Sequence, residues 1–125
     1  MIRYSLQGFV CEVSAFYRSL EKRKLTLLTI TGINGLLAEK EAALENLFEE
    51  EKDNRPFLFR GKKIVFLSAR VHPGETCSSH VMNGLIKFLL RENDARAAAL
   101  RKKYVFKLIP MLNPDGVVNG HYRLV

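Results

Sequence analysis

Ile64-Val65-Phe66-Leu67-Ser68-Ala69-Arg70-Val71-His72-Pro73-Gly74-Glu75-Thr76 is the stretch that decides the fold. Its first half reads as a strand over Lys62 to Ala69, apolar on both faces as a buried central strand should be. Its second half is a turn: Pro73 fixes its own φ, and Gly74 opens conformations closed to other residues. From Thr76 to Arg91 the spacing predicts a helix. Thr76, Ser78 or Ser79 can cap it, and Val81, Leu85, Phe88 and Leu89 form one face. A turn of this kind can aim His72 and Glu75 at one point, and imidazole nitrogen and carboxylate oxygen are both zinc ligands. His-x-x-Glu alone is a short pattern that chance produces easily. By spacing alone, the plainer reading is that His72 closes the turn and Glu75 meets the start of the helix.

Leu25-Thr26-Leu27-Leu28-Thr29-Ile30-Thr31 also reads as a strand, ended by Gly32 and the Asn34-Gly35 pair. Before it, Phe16, Tyr17 and Leu20 fall at helical spacing and suggest a short helix. Glu39 to Glu51 is helix-favouring, with a stripe of Ala42, Ala43, Leu44, Leu47 and Phe48. Asp53-Asn54-Arg55-Pro56 reads as a turn. Asp94 to Lys103 reads as a helix with Asp94 as N-cap and bases in its last turn, where they suit the macrodipole. Tyr104 to Ile109 reads as a buried strand stopped by Pro110. Asn113-Pro114-Asp115-Gly116 reads as a tight turn. The fold class is therefore α/β, with crossovers long enough for parallel or mixed pairing in one sheet flanked by helices. Ligands in such sheets bind beyond the carboxyl ends of strands, where His72 and Glu75 fall.

The chain has 125 residues, room for one domain at most. No apolar run approaches the ~18 residues that cross a bilayer. The first eight residues lack a continuous apolar core, so no signal peptide and no membrane partner are expected. Two cysteines, Cys11 and Cys77, make no disulfide framework and fit a reduced, cytosolic setting. Net charge is +7 and uneven: residues 39–59 hold seven acids and three bases, residues 60–125 twelve bases and four acids. A basic surround favours anionic substrates, although Arg91, Arg96, Arg101, Lys102 and Lys103 also read as a solvated helix face. No nucleic-acid partner is expected: there is no Gly-rich phosphate loop, no Cys/His finger and no aromatic-basic interleaving in one strand.

Five further residues have chemical potential, and His80, His121 and Cys77 are each a candidate third ligand with a plainer reading that spacing favours. His80, about one helical turn past the serines, reads as an ordinary helix residue pointing away from the strand end. His121 reads as a turn or pocket-wall residue, and Cys77 as a small buried hydrophobe. Asp115 could serve as a general base, but in its turn it reads as bonding its own backbone. Arg123 by position reads as an exposed arginine; beside a metal it could hold a developing oxyanion.

The stretch Phe66 to Thr76 resembles the zinc-binding segment of the cytosolic carboxypeptidases, a subgroup of the M14 zinc carboxypeptidases. Phe106-Lys107-Leu108-Ile109-Pro110-Met111-Leu112-Asn113-Pro114-Asp115-Gly116-Val117-Val118 resembles the subgroup's second hallmark. Gly120-His121-Tyr122-Arg123 and Leu27-Leu28-Thr29-Ile30-Thr31 also fit. The resemblance implies a carboxypeptidase fold with a mixed sheet. It implies one catalytic Zn2+ held by His72, Glu75 and a later histidine, with Arg123 polarising the scissile carbonyl. It implies removal of C-terminal or branch-point glutamates from polyglutamylated proteins, tubulin above all, in the cytoplasm, with the nucleus left open. Residues 24–125 then match the amino-terminal part of the catalytic domain and residues 1–23 the end of a preceding segment. The family's substrate-carboxylate Asn/Arg pair, third ligand and catalytic glutamate have no counterpart here, so the expectation is a truncated domain that is inactive alone. The alternative is a non-enzymatic α/β module that binds acidic protein tails through its basic half.

Overall fold

The structure, a computed structural model, describes residues 2–6, 8–42 and 55–123. Five strands form one sheet: β1 (Ile2–Leu6), β2 (Phe9–Arg18), β3 (Lys24–Gly32), β6 (Lys63–Ser68) and β7 (Tyr104–Ile109). Between β3 and β6, β4 (Leu36–Lys40) and β5 (Phe57–Phe59) pair with each other in a separate two-stranded sheet. The spatial order of the large sheet is β1-β2-β3-β7-β6. β6 and β7 are parallel and the other pairs are antiparallel. A parallel pair needs a long crossover, supplied here by α1 (Cys77–Leu89) and α2 (Ala95–Lys103). The mixed α/β sheet expected from the sequence is what forms.

Strand alternation sorts the sheet into two faces. Cys11, Ile30, Phe106 and Leu108 point to one face and pack against Met82 and Leu89 of α1. Of the expected apolar face of α1, Leu85, Phe88 and Leu89 pack into this core as expected, whereas Val81 is 74% exposed and Met82 is buried in its stead. On the other face Glu12, Thr29 and Lys107 line up across three strands. Lys107 Nζ donates to Thr29 Oγ1 (3.2 Å) and pairs with Glu41 Oε1 (2.6 Å), and Arg55 lies 3.5 Å from the same carboxylate. Burial pushes the Lys107 ammonium down, against the opposing pull of Glu41.

Three expectations are corrected. Phe16, Tyr17 and Leu20 are not helical: the first two lie in β2, and Leu20 sits in the following turn, 99% exposed. The register of β2 against β3 shifts between Ala15 and Tyr17, and such a bulge breaks the two-residue alternation that marks a strand. Glu39 and Lys40 belong to β4; the rest of the expected helix from residue 43 on, with Asp53 and Asn54, lies outside the described residues. β6 is an edge strand, with Ile64 65% and Phe66 56% exposed, because among the described residues only β7 pairs with it. The helix at Asp94 is as expected: its carboxylate accepts from Arg96 N and Ala97 N.

Candidate metal centre

β6 and β7 end level, Ser68 beside Ile109. Their hydrogen-bond ladder continues past the strands. Ala69 N donates to Ile109 O (2.9 Å), Leu112 N to Ala69 O (2.9 Å) and Asn113 N to Arg70 O (3.1 Å). The turn after β6 is thereby laced to the turn after β7. Arg70 takes φ 59°, left-handed for a residue with a side chain, which costs on the order of 1–2 kcal/mol. Its own groups offset that cost. Ser78 Oγ accepts from Arg70 N (3.2 Å), Pro73 O from Arg70 Nε (2.7 Å) and Ser79 Oγ from the guanidinium (2.9 Å). Ser78 Oγ also donates to Glu75 O (2.9 Å). Thr76 holds the N-cap position of α1 without a side-chain cap bond, so these serine contacts, not a threonine cap, join turn to helix.

Two glycines permit the close approach. A Cβ on Gly74 would run into the Tyr122 ring, and Gly74 N donates to Tyr122 O (2.9 Å). A Cβ on Gly116 would run into the Pro73 ring. Gly116 sits in α3 (Pro114–Val118), where Asn113 caps the first turn by accepting from Gly116 N (2.9 Å). The expected Asn-Pro-Asp-Gly turn is thus the first turn of a short helix.

In this frame His72 Nδ1 lies 3.1 Å from Glu75 Oε2, both side chains more than a third exposed. Arg123 reaches within 3.8 Å of Glu75 Oε1. Two donors at ordinary zinc distances of about 2.0–2.2 Å and near-tetrahedral angle are about 3.4 Å apart, so the pair fits two positions on one ion. Among the described residues no group of three or more His, Cys, Asp or Glu converges. His80 and His121 are exposed, and Cys77, expected to be buried, is exposed at the start of α1.

Asp115 does not bond its own backbone. Its carboxylate accepts from Ser19 Oγ (2.6 Å), Glu21 N (3.0 Å) and Arg23 (2.7 Å) in the β2–β3 turn. Desolvation pushes that carboxyl up, but the bonds from Ser19, Arg23 and Glu21 N outweigh it and hold it below the usual range. Occupied there, Asp115 is no general base for this turn. Arg101, expected on a solvated face, is buried; it donates to Leu89 O (2.5 Å) and Arg91 O (3.0 Å) and lies over the Phe9 ring. Sequence reasoning missed Arg70, Asn113 and Tyr122 as the residues that hold the turn. Asn113 carried a usable signal, a capping residue directly before proline; Arg70 and Tyr122 act through contacts that local sequence does not show.

A family model described as zinc carboxypeptidase, M14 peptidase, matches residues 6–124. The human cytosolic carboxypeptidase-like protein 5 is 59% identical over 105 residues, 84% of this chain and 12% of that protein. Cytosolic carboxypeptidase 6 of Caenorhabditis elegans is 62% identical over 72 residues, 57% of this chain and 16% of that protein. The chain therefore spans only a small part of the length of these relatives. Among solved structures, a metallo-carboxypeptidase from Burkholderia cenocepacia superposes with TM-score 0.64 at 28% identity, over 90% of this chain and 25% of that one.

Proposed function

The chain belongs to the M14 zinc carboxypeptidase family, and from that premise we propose that it forms the amino-terminal, metal-gripping part of a catalytic domain that removes C-terminal or branch-point glutamates from polyglutamylated proteins such as tubulin. The observation that carries the reading is the convergence of His72 Nδ1 and Glu75 Oε2 at 3.1 Å with Arg123 beside them. His72 and Glu75 would hold zinc, which when bound supplies a Lewis acid and a water acidic enough to act near neutral pH. Arg123 would orient the scissile carbonyl and meet negative charge as it develops. The +8 balance of residues 60–125 draws glutamate-rich chains toward this half of the molecule. The cytoplasm is the compartment that fits the free thiols of Cys11 and Cys77 and the names of the relatives.

A catalytic zinc site keeps three protein ligands, and among the described residues two donors converge here. The 125-residue chain by itself is thus expected to bind zinc weakly and to turn nothing over. Zinc competition titrations test the site: His72→Ala and Glu75→Ala each lower affinity at least about tenfold, and unchanged affinity removes both residues from the site. Glutamate release from a polyglutamylated peptide, measured with added zinc, stays at background; turnover by this chain overturns the claim of inactivity.

A further inference from the structure

At the opposite end of the β6–β7 pair lies a second feature that the zinc reading does not use. Parallel pairing sets Lys63 beside Tyr104, so the residues entering β6 and those closing α2 come together. The first set is Arg60-Gly61-Lys62-Lys63 and the second Arg101-Lys102-Lys103. Backbone and side-chain bonds fix the junction. Arg60 N donates to Gly35 O (2.7 Å), Asn34 Nδ2 to Lys102 O (3.0 Å), and Lys62 Nζ to Arg101 O (3.0 Å), Gly32 O (2.6 Å) and Thr31 Oγ1 (2.8 Å).

Six bases thus share one end of the sheet, and they divide into two kinds. Lys62 and Arg101 are occupied internally: Lys62 by the three oxygens above, Arg101 by Leu89 O and Arg91 O. Bases near a helix C-terminus ordinarily answer its free carbonyls. Here Arg101 O is already met by Lys62 and Thr31, and Lys102 O by Asn34. Arg60, Lys63, Lys102 and Lys103 are therefore not needed for that purpose. All four are exposed, and among the described residues none pairs with a carboxylate.

The geometry points to this basic end as a docking surface for an acidic polypeptide tail, separate from the His72–Glu75 turn at the other end of the same strands. This rests on the reading of the substrate as glutamate-rich. β6 rises about 3.3 Å per residue, so its six residues put the surface roughly 20 Å from the metal turn, within reach of one extended acidic chain. A tail held there at its stem leaves its end free for the metal site, and the two contacts on one chain raise its effective concentration.

Fluorescence anisotropy of a labelled decaglutamate peptide against the 125-residue chain tests this. Binding is expected at low salt and weakens at least about tenfold between about 50 and 300 mM salt. Charge reversal at the four exposed bases (R60E, K63E, K102E and K103E together) raises Kd at least about tenfold. The milder set R60Q, K63Q, K102Q and K103Q gives a smaller loss in the same direction and serves if the reversed protein does not fold. Decaglutamate that does not bind, or that binds the charge variants as tightly as the unchanged chain, overturns the surface while the zinc reading stands or falls on its own titration. A single-stranded RNA of equal charge that binds more tightly than decaglutamate overturns the choice of an acidic polypeptide.

Discussion

β6 and β7 lie side by side and parallel, and they are buried to very different degrees. In β7, Val105, Phe106, Leu108 and Ile109 are at most 6% exposed; in β6, Ile64 and Phe66 are 65% and 56% exposed. β7 has a strand on each side, an apolar face toward α1 and a polar row opposite. β6 has one strand neighbour among the described residues. Yet β6 is the strand that leads into His72 and Glu75. The turn is held accordingly: His72 and Glu75 follow the exposed strand, and the buried strand fixes them through the bonds from Leu112 N and Asn113 N and the contact of Gly116 with Pro73.

The largest effect should therefore come from β7. Leu108→Ala empties a fully buried position and should cost about 2–5 kcal/mol, a large share of a small domain's stability. Leu67→Ala, at the neighbouring register position but 39% exposed, should cost clearly less. Urea unfolding of the two variants checks this, and equal losses would break the contrast between the strands.

The next effect concerns the link between them. Gly116→Ala places a methyl group against the Pro73 ring, overpacking that costs about 1–3 kcal/mol. Its particular signature is displacement at a distance in sequence. The His72 ring resonances should shift and zinc affinity should fall, although residue 116 touches neither donor. A variant with lowered stability but an unmoved His72 spectrum would show that the turn after β7 does not set the turn after β6.

This dependence also explains what could be read from the sequence. The strands at Leu25–Thr31, Lys62–Ala69 and Tyr104–Ile109, the helices from Thr76 and Asp94, and the His72–Glu75 pair carry local signals: apolar runs, a capping aspartate, a Pro-Gly turn. Whether a strand is central is not a local property. Ile64-Val65-Phe66-Leu67 has the composition of a buried strand, and only the sheet order shows that its outer side is open. The role of Asp115 was illegible for the same reason, since its partners Ser19 and Arg23 lie more than 90 residues away. Arg101 looked like one more base on a polar helix; its burial depends on Phe9 from the other end of the chain.

A smaller effect belongs to the entry of β6. Burial lowers the Lys62 pKa from 10.5 to about 8, outweighing the three oxygens that accept from its ammonium. The folded state then holds that proton less tightly than the unfolded chain. Between about pH 8 and 10.5 the unfolded state binds more protons, so Lys62 makes stability rise with pH across that window. The difference between the wild-type and Lys62→Met denaturant midpoints, followed from pH 8 to 10.5, isolates this contribution from other titrating groups. A difference that runs the opposite way would mean that the ammonium is better stabilised in the fold than in water.

The smallest effect should come from the open side of β6. Phe66→Thr keeps β propensity and removes an exposed ring, so it should change stability by no more than about 0.5 kcal/mol. An unpaired apolar edge is a template for pairing between chains, and the same substitution should lower concentration-dependent self-association in sedimentation experiments. The two readouts separate two situations that look alike in one chain. If Phe66→Thr costs little and self-association falls, the edge is open in the isolated chain. If it costs as much as Leu108→Ala while the protein stays monomeric, Phe66 is covered in solution, and β6 holds His72 and Glu75 with the same rigidity as its buried neighbour.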